Sequence, residues 1–281
     1  MAIQTGDKTI RVIGIVNITD DSFFSPSRMM DRYGYVDIGG VLEIIGQMQD
    51  DGADLIDIGA CSSRPGSKGI GPEREWERLG KALPHIRLEF PDIPLSIDTY
   101  HSSVIEKACD VAGPVMVNDI TSGAGDPKML ETVGRLGLSY VAMHMRGMPE
   151  EMQNLTDYEN GDVMAAIKKH FEEFALKAEE AGIKDWILDP GFGFAKTTDQ
   201  NYTILERLGE FKKFGRPIMA GLSRKSMIYK LLEITPEESL PSVQALNMVA
   251  LERGATLLRV HDVADAMRTV RLYKALNEAK N

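Results

Sequence analysis

Eight short apolar runs, each closing on polar residues or glycine and each followed by helix-patterned sequence, constrain this chain more than any other feature. The runs are RVIGIVN (11–17), DLIDIG (54–59), PLSIDT (94–99), VMVND (115–119), YVAMHM (140–145), WILDP (186–190), PIMAG (217–221) and TLLRV (256–260). Between them lie amphipathic stretches such as VLEIIGQMQDDGA, EREWERLGKALPHI, SVIEKACDVAG, KMLETVGRLG and MAAIKKHFEEFALKAEEAG. Gly52, Gly113, Gly137 and Gly182 stand where left-handed helix caps fall. Strands that are apolar on both faces belong in a parallel sheet covered by helices. Eight such units within 281 residues fit an α/β fold, a (β/α)8 TIM barrel built as one domain over 1–281, better than a doubly wound open sheet. The first two strand-to-helix connections, about 18–36 and about 60–70, are long, carry Gly, Pro and Ser, and are expected to be mobile.

Charge and cysteine usage narrow the function classes. A net charge of -10 argues against a nucleic-acid binder or a protein of anionic membrane surfaces, so any anion-binding group must act locally. The two cysteines, Cys61 and Cys109, offer neither disulfide nor zinc spacing. No basic and apolar leader and no membrane-length apolar run is apparent. The expectation is a soluble cytoplasmic protein with neither nucleic acid nor membrane as partner.

In a barrel of this kind the carboxyl ends of the strands form the active face. Those ends carry Asn17, Asp57, Asp98, Asn118 with Asp119, His144, Asp189, the GLSRKS turn, and then Arg259 and His261. One such residue is usually a cap or a satisfied turn group; a ring of them from separate strands points to a site. Asp98, Asn118 and Asp189 suit a flat, nitrogen-rich heterocycle whose N–H and amino groups need partners. Arg64, Lys225, Arg259 and His261 suit an anion, and Arg259 and His261, two apart, face the same way along a strand. Asn17, beside Thr19, Asp20, Asp21 and Ser22, suits a hard cation such as Mg2+.

Plainer readings stand beside these. Arg259 and His261 fit pairing with Asp262 or Asp265 about equally well. Asp57 and Cys61 are expected to be structural, and GFGFAK (191–196) lacks the spacing of a phosphate loop. His144 fits a site lining and a core position equally. Most of the fifteen methionines are core filler, while Met143 and Met145 are candidates to line a flat-ligand pocket.

Taken together, the motifs resemble those of the dihydropteroate synthase family. GIVNITDDSFF, GADLIDIGACSSRPGS, SIDTYHSSVIEKA, VNDITSG, MHMRGMPEEMQ, ILDPGFGFAKT, GLSRKSMI and LLRVHDV follow in that family's order from Ile13 to Val263. The resemblance implies a Mg2+-dependent condensation of 6-hydroxymethyl-7,8-dihydropterin diphosphate with 4-aminobenzoate, giving 7,8-dihydropteroate and pyrophosphate. It implies that Asn17 ligates Mg2+ and that Asp98, Asn118, Asp189 and Lys225 hold the pterin. Ser63, Arg259 and His261 would contact the diphosphate, with Arg64 closing over the site. Pro65, Phe192 and Lys225 would shape the aminobenzoate slot, its carboxylate near Ser226, with Met143 lining the pterin pocket. Asp98, Lys225, Arg259 and His261 are the expected catalytic set, and a homodimer is the expected assembly.

Three departures from the family pattern stand out: Asp20 where proline is usual, Ala60-Cys61 for Gly-Glu, and Ala195 for glycine. Two other readings compete. A pterin-binding methyltransferase domain would not need the Ser63-Arg64 loop, the SRKS turn or the Arg259/His261 pair. A non-catalytic homologue would be expected to have lost Asn17, Arg64 or the Arg259/His261 pair, and the chain keeps them.

Overall fold

The structure, a computed structural model, describes residues 9–19, 35–62, 66–67 and 69–279. Eight parallel strands, β1 (Arg11–Asn17), β2 (Leu55–Gly59), β3 (Leu95–Asp98), β4 (Met116–Asp119), β5 (Tyr140–Met143), β6 (Trp186–Asp189), β7 (Met219–Ala220) and β8 (Leu257–Val260), run in the order β6-β5-β4-β3-β2-β1-β8-β7. The ladder closes between its two ends: Leu188 bridges Ile218, and Leu188 N–H donates to the Pro217 carbonyl at 2.9 Å. The result is the expected barrel, with every strand inside one of the eight apolar runs.

Helices follow the strands: α1 (Ile38–Asp50), α2 (Pro72–Glu89), α3 (Ser102–Ala112), α4 (Met129–Leu136), α5 (Val163–Glu180) and α6 (Thr198–Glu206). The β7–β8 crossover carries two, α7 (Ser226–Leu232) and α8 (Leu240–Arg253), where one was expected, and α9 (Val263–Glu278) closes the ring. Local chemistry sets the ends. Asp37 and Asp162 cap α1 and α5 through their carboxylates, and Thr197 with Gln200 forms a reciprocal capping box on α6. Gly137 ends α4 in the left-handed conformation that costs glycine nothing. No helix among the described residues is long and apolar enough to cross a membrane.

Alternation along each strand divides the core in two. Outward residues such as Val12, Ile58, Ile97, Val117, Tyr140 and Leu188 join the layer between barrel and helices. On β5, β6 and α5 this layer is aromatic, with Tyr140 stacked on Phe174 at 5.4 Å and Phe174 edge-on to Trp186 at 5.1 Å. Inward residues Ile13, Leu55, Met116, Val141, Ile187, Met219 and Leu257 form a separate apolar cluster inside the barrel. Each such buried side chain contributes about 1.5–3 kcal/mol, so this floor is a packed plug. Two residues further along, the same faces carry Ile15, Asp57, Asn118, Met143, Asp189, Gly221 and Arg259. The step from plug to site is one pleat repeat.

Most of the first connection (20–34) and residues 63–65 and 68 of the second lie outside the described residues. Ser63, Arg64 and Pro65, and the Asp20 departure, are therefore not placed.

Candidate active site

A cavity of about 500 Å3 opens at the carboxyl ends of the strands. Asn17, Asp98, Asn118, Met143 and Asp189 line it from β1, β3, β4, β5 and β6. Phe192, Lys225, Ser226, Arg259 and His261 join them in the same space, whereas Met145, also a candidate to line a flat-ligand pocket, does not line it. Met152 and Gln153, from the connection after β5, also line it, as do Arg224, Tyr229 and Lys230. Arg224 belongs to the GLSRKS turn, and Met152 and Gln153 to the MHMRGMPEEMQ stretch, but none of the three was singled out; Tyr229 and Lys230 lie outside every motif. Gly221 lines it too, and the place where a Cβ would stand is open space.

At the centre Arg259 bridges two carboxylates. Its Nε meets Asp57 Oδ2 at 2.7 Å, and its Nη2 meets Asp57 at 2.6 Å and Asp98 at 2.7 Å. Burial works against the guanidinium charge, but Asp57 and Asp98 outweigh it and raise the arginine pKa. Asp98 responds oppositely. Burial raises its carboxyl to about 7 against the pull of Arg259, with Asp57 adding to the rise. The pairing anticipated with Asp262 or Asp265 goes elsewhere: Asp262 binds Arg224 and Asp265 binds Arg268. His261 is held by Ser223, whose hydroxyl meets its Nδ1 at 3.2 Å.

Asp189 is 7% exposed, and burial raises its pKa against the Gly191 N–H and the charges of Lys225, Arg259 and Lys196. Lys225 is drawn the other way: burial lowers it to about 8, opposed by Asp189. Its ammonium lies 4.2 Å from the centre of the Phe194 ring. Gly193 makes room for it, since a Cβ there would stand 3.2 Å from Lys225 Cδ.

The GFGFAK segment is an aromatic wall fixed by its lysine. Lys196 is buried and donates to the carbonyls of His144, Gly191 and Phe194 at 3.0, 2.9 and 2.8 Å. Burial lowers its pKa to about 7, while three carbonyl acceptors favour the ammonium form. Gly191 approaches so closely that a Cβ would stand 2.2 Å from the His144 carbonyl oxygen. Gln153 ties the wall to the β5 connection, its Nε2 donating to the Gly193 carbonyl at 3.1 Å.

Other polar residues at the strand ends face away. His144 is 4% exposed and packs edge-on to His170 at 5.2 Å, so the core reading holds and burial drives its pKa well down. Asp119 is buried behind β4, accepting from Tyr140 Oη at 2.6 Å and from the Thr121 N–H and hydroxyl at 2.7 Å. Parity separates them. His144 follows inward Met143, and Asp119 follows inward Asn118. Cys61 is half-buried beside Tyr100, 3.9 Å from its hydroxyl, and burial pushes its thiol up, consistent with a structural role.

Among the described residues no group of three or more His, Cys, Asp or Glu side chains is arranged to hold a metal. Asn17 and Asp98 sit side by side above Gly59, where a Cβ would stand 3.5 Å from Asn17 Oδ1 and 3.3 Å from Asp98 Cβ. An amide oxygen beside the Asp98 carboxylate is a sparse oxygen set of the kind Mg2+ uses, since that ion keeps several waters and takes oxygens from bound phosphates rather than an all-protein cage.

Comparison with known proteins agrees with this geometry. Residues 13–261 match the family described as pterin binding enzyme. Dihydropteroate synthase of Escherichia coli K12 is 36% identical over 274 residues, spanning 96% of this chain and 92% of that one. A Yersinia pestis dihydropteroate synthase solved in a sulfonamide drug complex superposes with a TM-score of 0.88 at 33% identity, covering 97% of this chain and 96% of that one. A Xanthomonas albilineans dihydropteroate synthase solved with 4-aminobenzoic acid gives 0.84 at 34% identity, covering 96% and 93%. On its fold, the ordered motifs at its strand ends and these full-length likenesses, the chain belongs to the dihydropteroate synthase family of pterin-binding enzymes.

Proposed function

We propose that the chain, as a single barrel domain over 1–281, condenses 6-hydroxymethyl-7,8-dihydropterin diphosphate with 4-aminobenzoate. The carrying observation is the convergence, in one cavity, of acceptors for a heterocycle and cations for an anion. Asp98, Asn118 and Asp189 supply the first; Lys225, Arg259 and His261 supply the second.

In this reading Asp189 accepts from the aminopyrimidinone edge, and Asn118 and Lys225 complete the pterin contacts. Met143 and Phe192 provide apolar walls. The diphosphate lies against Arg259 and His261, with Ser63 and Arg64 joining from the second connection. The methylene–oxygen bond breaks and its electron pair leaves with the diphosphate. Arg259 and His261 meet that growing charge. Asp98, ionised above about 7, faces the cation left on the pterin. The aromatic amine then forms the carbon–nitrogen bond and releases one proton. That amine is neutral at ordinary pH, so it needs placement more than activation. Pro65, Phe192 and Lys225 shape its slot, and Ser226 meets its carboxylate.

Asn17 would hold Mg2+ together with the diphosphate. The ion supplies neutralising charge to the leaving group. The resemblance also supports a homodimer in the cytoplasm, with small-molecule substrates as its ligands.

The test is pyrophosphate release by purified protein with Mg2+, with and without 4-aminobenzoate. Amine-dependent release with an equal amount of dihydropteroate is the expected result. Pterin diphosphate binding without turnover would overturn the synthase reading and leave a binding protein.

A further inference from the structure

Two of the cavity's polar side chains hang on a residue that does not line it. Asp57 points inward from β2 and is 1% exposed. Its Oδ2 accepts from Arg259 Nε at 2.7 Å and from Asn118 Nδ2 at 2.9 Å, and lies 2.6 Å from Arg259 Nη2. Its Oδ1 is buried with no partner among the described residues. Among the described residues, its hydrogen bonding therefore falls on the one oxygen shared by Arg259 and Asn118.

The chemistry of that oxygen decides two orientations. An amide fills the same space either way round, but its nitrogen donates and its oxygen accepts. An ionised carboxylate can only accept. Asn118 must therefore turn Nδ2 toward Asp57, which leaves Oδ1 as the end available to a ligand. Arg259 spends Nε and one edge of its planar fork on the same carboxylate, which fixes the plane of the guanidinium. The rest of the fork faces Asp98 and the cavity.

We infer that Asp57 is a positioning residue for the reaction proposed above, on which this inference rests. It makes Asn118 an acceptor toward the heterocycle and aims Arg259 at the diphosphate, so both ends of one substrate are recognised through a single buried carboxylate. A carboxylate that merely neutralised Arg259 would act on the anion end alone.

The test separates the two ends. Affinities for a dihydropterin lacking the diphosphate, and for inorganic pyrophosphate with Mg2+, are measured by calorimetry on the wild type, Asp57→Asn, Asn118→Ala and the double variant. Asp57→Asn keeps one acceptor oxygen but loses the charge that holds Arg259 and Asn118, and should weaken each fragment about tenfold, the scale of one charge-assisted hydrogen bond made neutral. The KM for 4-aminobenzoate, whose proposed contacts do not depend on Asp57, should stay within about twofold, which general loosening would not spare. The double variant should lose no more pterin affinity than the weaker-binding single variant, because both act through the same amide. Additive losses, or a loss confined to pyrophosphate, overturn the inference. So does an Asp57→Asn enzyme that matches an active wild type. A wild type that binds neither fragment overturns the functional reading, and the inference with it. One readout needs no Asp57 variant. The Asn118 side-chain NH2, identified by its absence in Asn118→Ala, should be protected from hydrogen exchange in the free wild-type protein. Exchange at the rate of an exposed amide would overturn the inference even if Asp57→Asn does not fold.

Discussion

Arg259 and Asp98, 161 residues apart in sequence, meet at the mouth of the barrel with Nη2 and Oδ2 2.7 Å apart. The same guanidinium also holds Asp57, so one cation serves two carboxylates, one buried and one reaching the cavity. A lysine keeps the charge but not the planar fork, and cannot span both acceptors in one geometry. We expect Arg259→Lys to lower turnover about 100-fold, the scale of losing one preorganised donor to a developing anion. Its unfolding free energy should fall by only about 1–2 kcal/mol, because the charge remains. Steady-state kinetics and urea unfolding measure the two effects. Turnover within about threefold of wild type would mean that charge alone suffices.

Gly221 offers a test that hardly touches the fold. It lines the cavity with open space where its Cβ would stand, and its backbone is not in the left-handed region. Gly221→Val should therefore fold with a melting temperature within a few degrees of wild type, about 1 kcal/mol in either direction. Its side chain would occupy volume assigned to the heterocycle. Pterin affinity should fall by at least about tenfold, for which displacing a few ligand contacts is enough. Unchanged pterin binding would place the heterocycle elsewhere in the cavity.

Much of this architecture was legible because strand parity and helix periodicity are written locally. Every strand fell within its apolar run, and the described candidates that line the cavity sit at strand ends or in the turns just beyond them. What was not legible depends on contacts across the barrel. Asp57 lies 202 residues from Arg259, and no local pattern distinguishes that pairing from one with nearby Asp262. The ambiguity of His144 was of another kind. Counting parity from Val141 through Met143 puts 143 inside and 144 outside, a signal present in the sequence. Met152 and Gln153 reach the cavity from a single 3-10 turn (Met152–Asn154) in the connection after β5, too short for a period to be read.

Lys225 sets the expected alkaline limit. Burial brings its pKa down to about 8, with Asp189 working against the fall. The ammonium is present below that value and is lost as pH rises through it. Catalytic efficiency should thus decline above about pH 8 in the free enzyme, where kcat/KM reports the essential groups. Lys225→Arg keeps its charge throughout this range. Its rate should be lower overall, but the decline near pH 8 should disappear. A decline with the same midpoint in Lys225→Arg would assign it to another group.

Two of the wall loop's three positive-φ positions, Gly191 and Ala195, carry opposite expectations. Gly191 has φ 70, and a Cβ there would stand 2.2 Å from a backbone oxygen that cannot move without shifting β5. Gly191→Ala should cost about 2–3 kcal/mol and displace Asp189 and Phe192 together. Ala195, where relatives of the family pattern carry glycine, has φ 51 and is fully buried. Ala195→Gly relieves about 1–2 kcal/mol of left-handed strain, but loses about 0.8 kcal/mol of methyl burial and gains freedom in the unfolded chain. The net change should lie within about 1 kcal/mol of zero. Urea unfolding of both variants checks the contrast. A large loss in Ala195→Gly would show that the methyl group carries packing the strain argument undervalues.

His170 gives the pH dependence of stability a separable part. Burial lowers its pKa from 6.5 to about 4, and the charges of Lys196 and Lys177 act in the same direction. Between those values the unfolded chain binds the proton more readily than the native one. Stability therefore falls as pH drops from about 6.5 toward about 4, by at most about 3 kcal/mol. Asp98 works in the opposite sense: its raised carboxyl takes up a proton in the native state below about 7, which favours folding as pH falls. The wild-type curve mixes these contributions, so the difference against His170→Gln is the informative quantity. Glutamine can keep the contact with Ser122, whose hydroxyl lies 3.2 Å from His170 Nε2. Near pH 7 the two proteins should differ little from their intrinsic offset, and at pH 4.5 the variant should gain on the wild type by about 2 kcal/mol. Parallel stability curves from pH 7 to pH 4.5 would mean that His170 is protonated in the native fold and that its burial carries no such penalty.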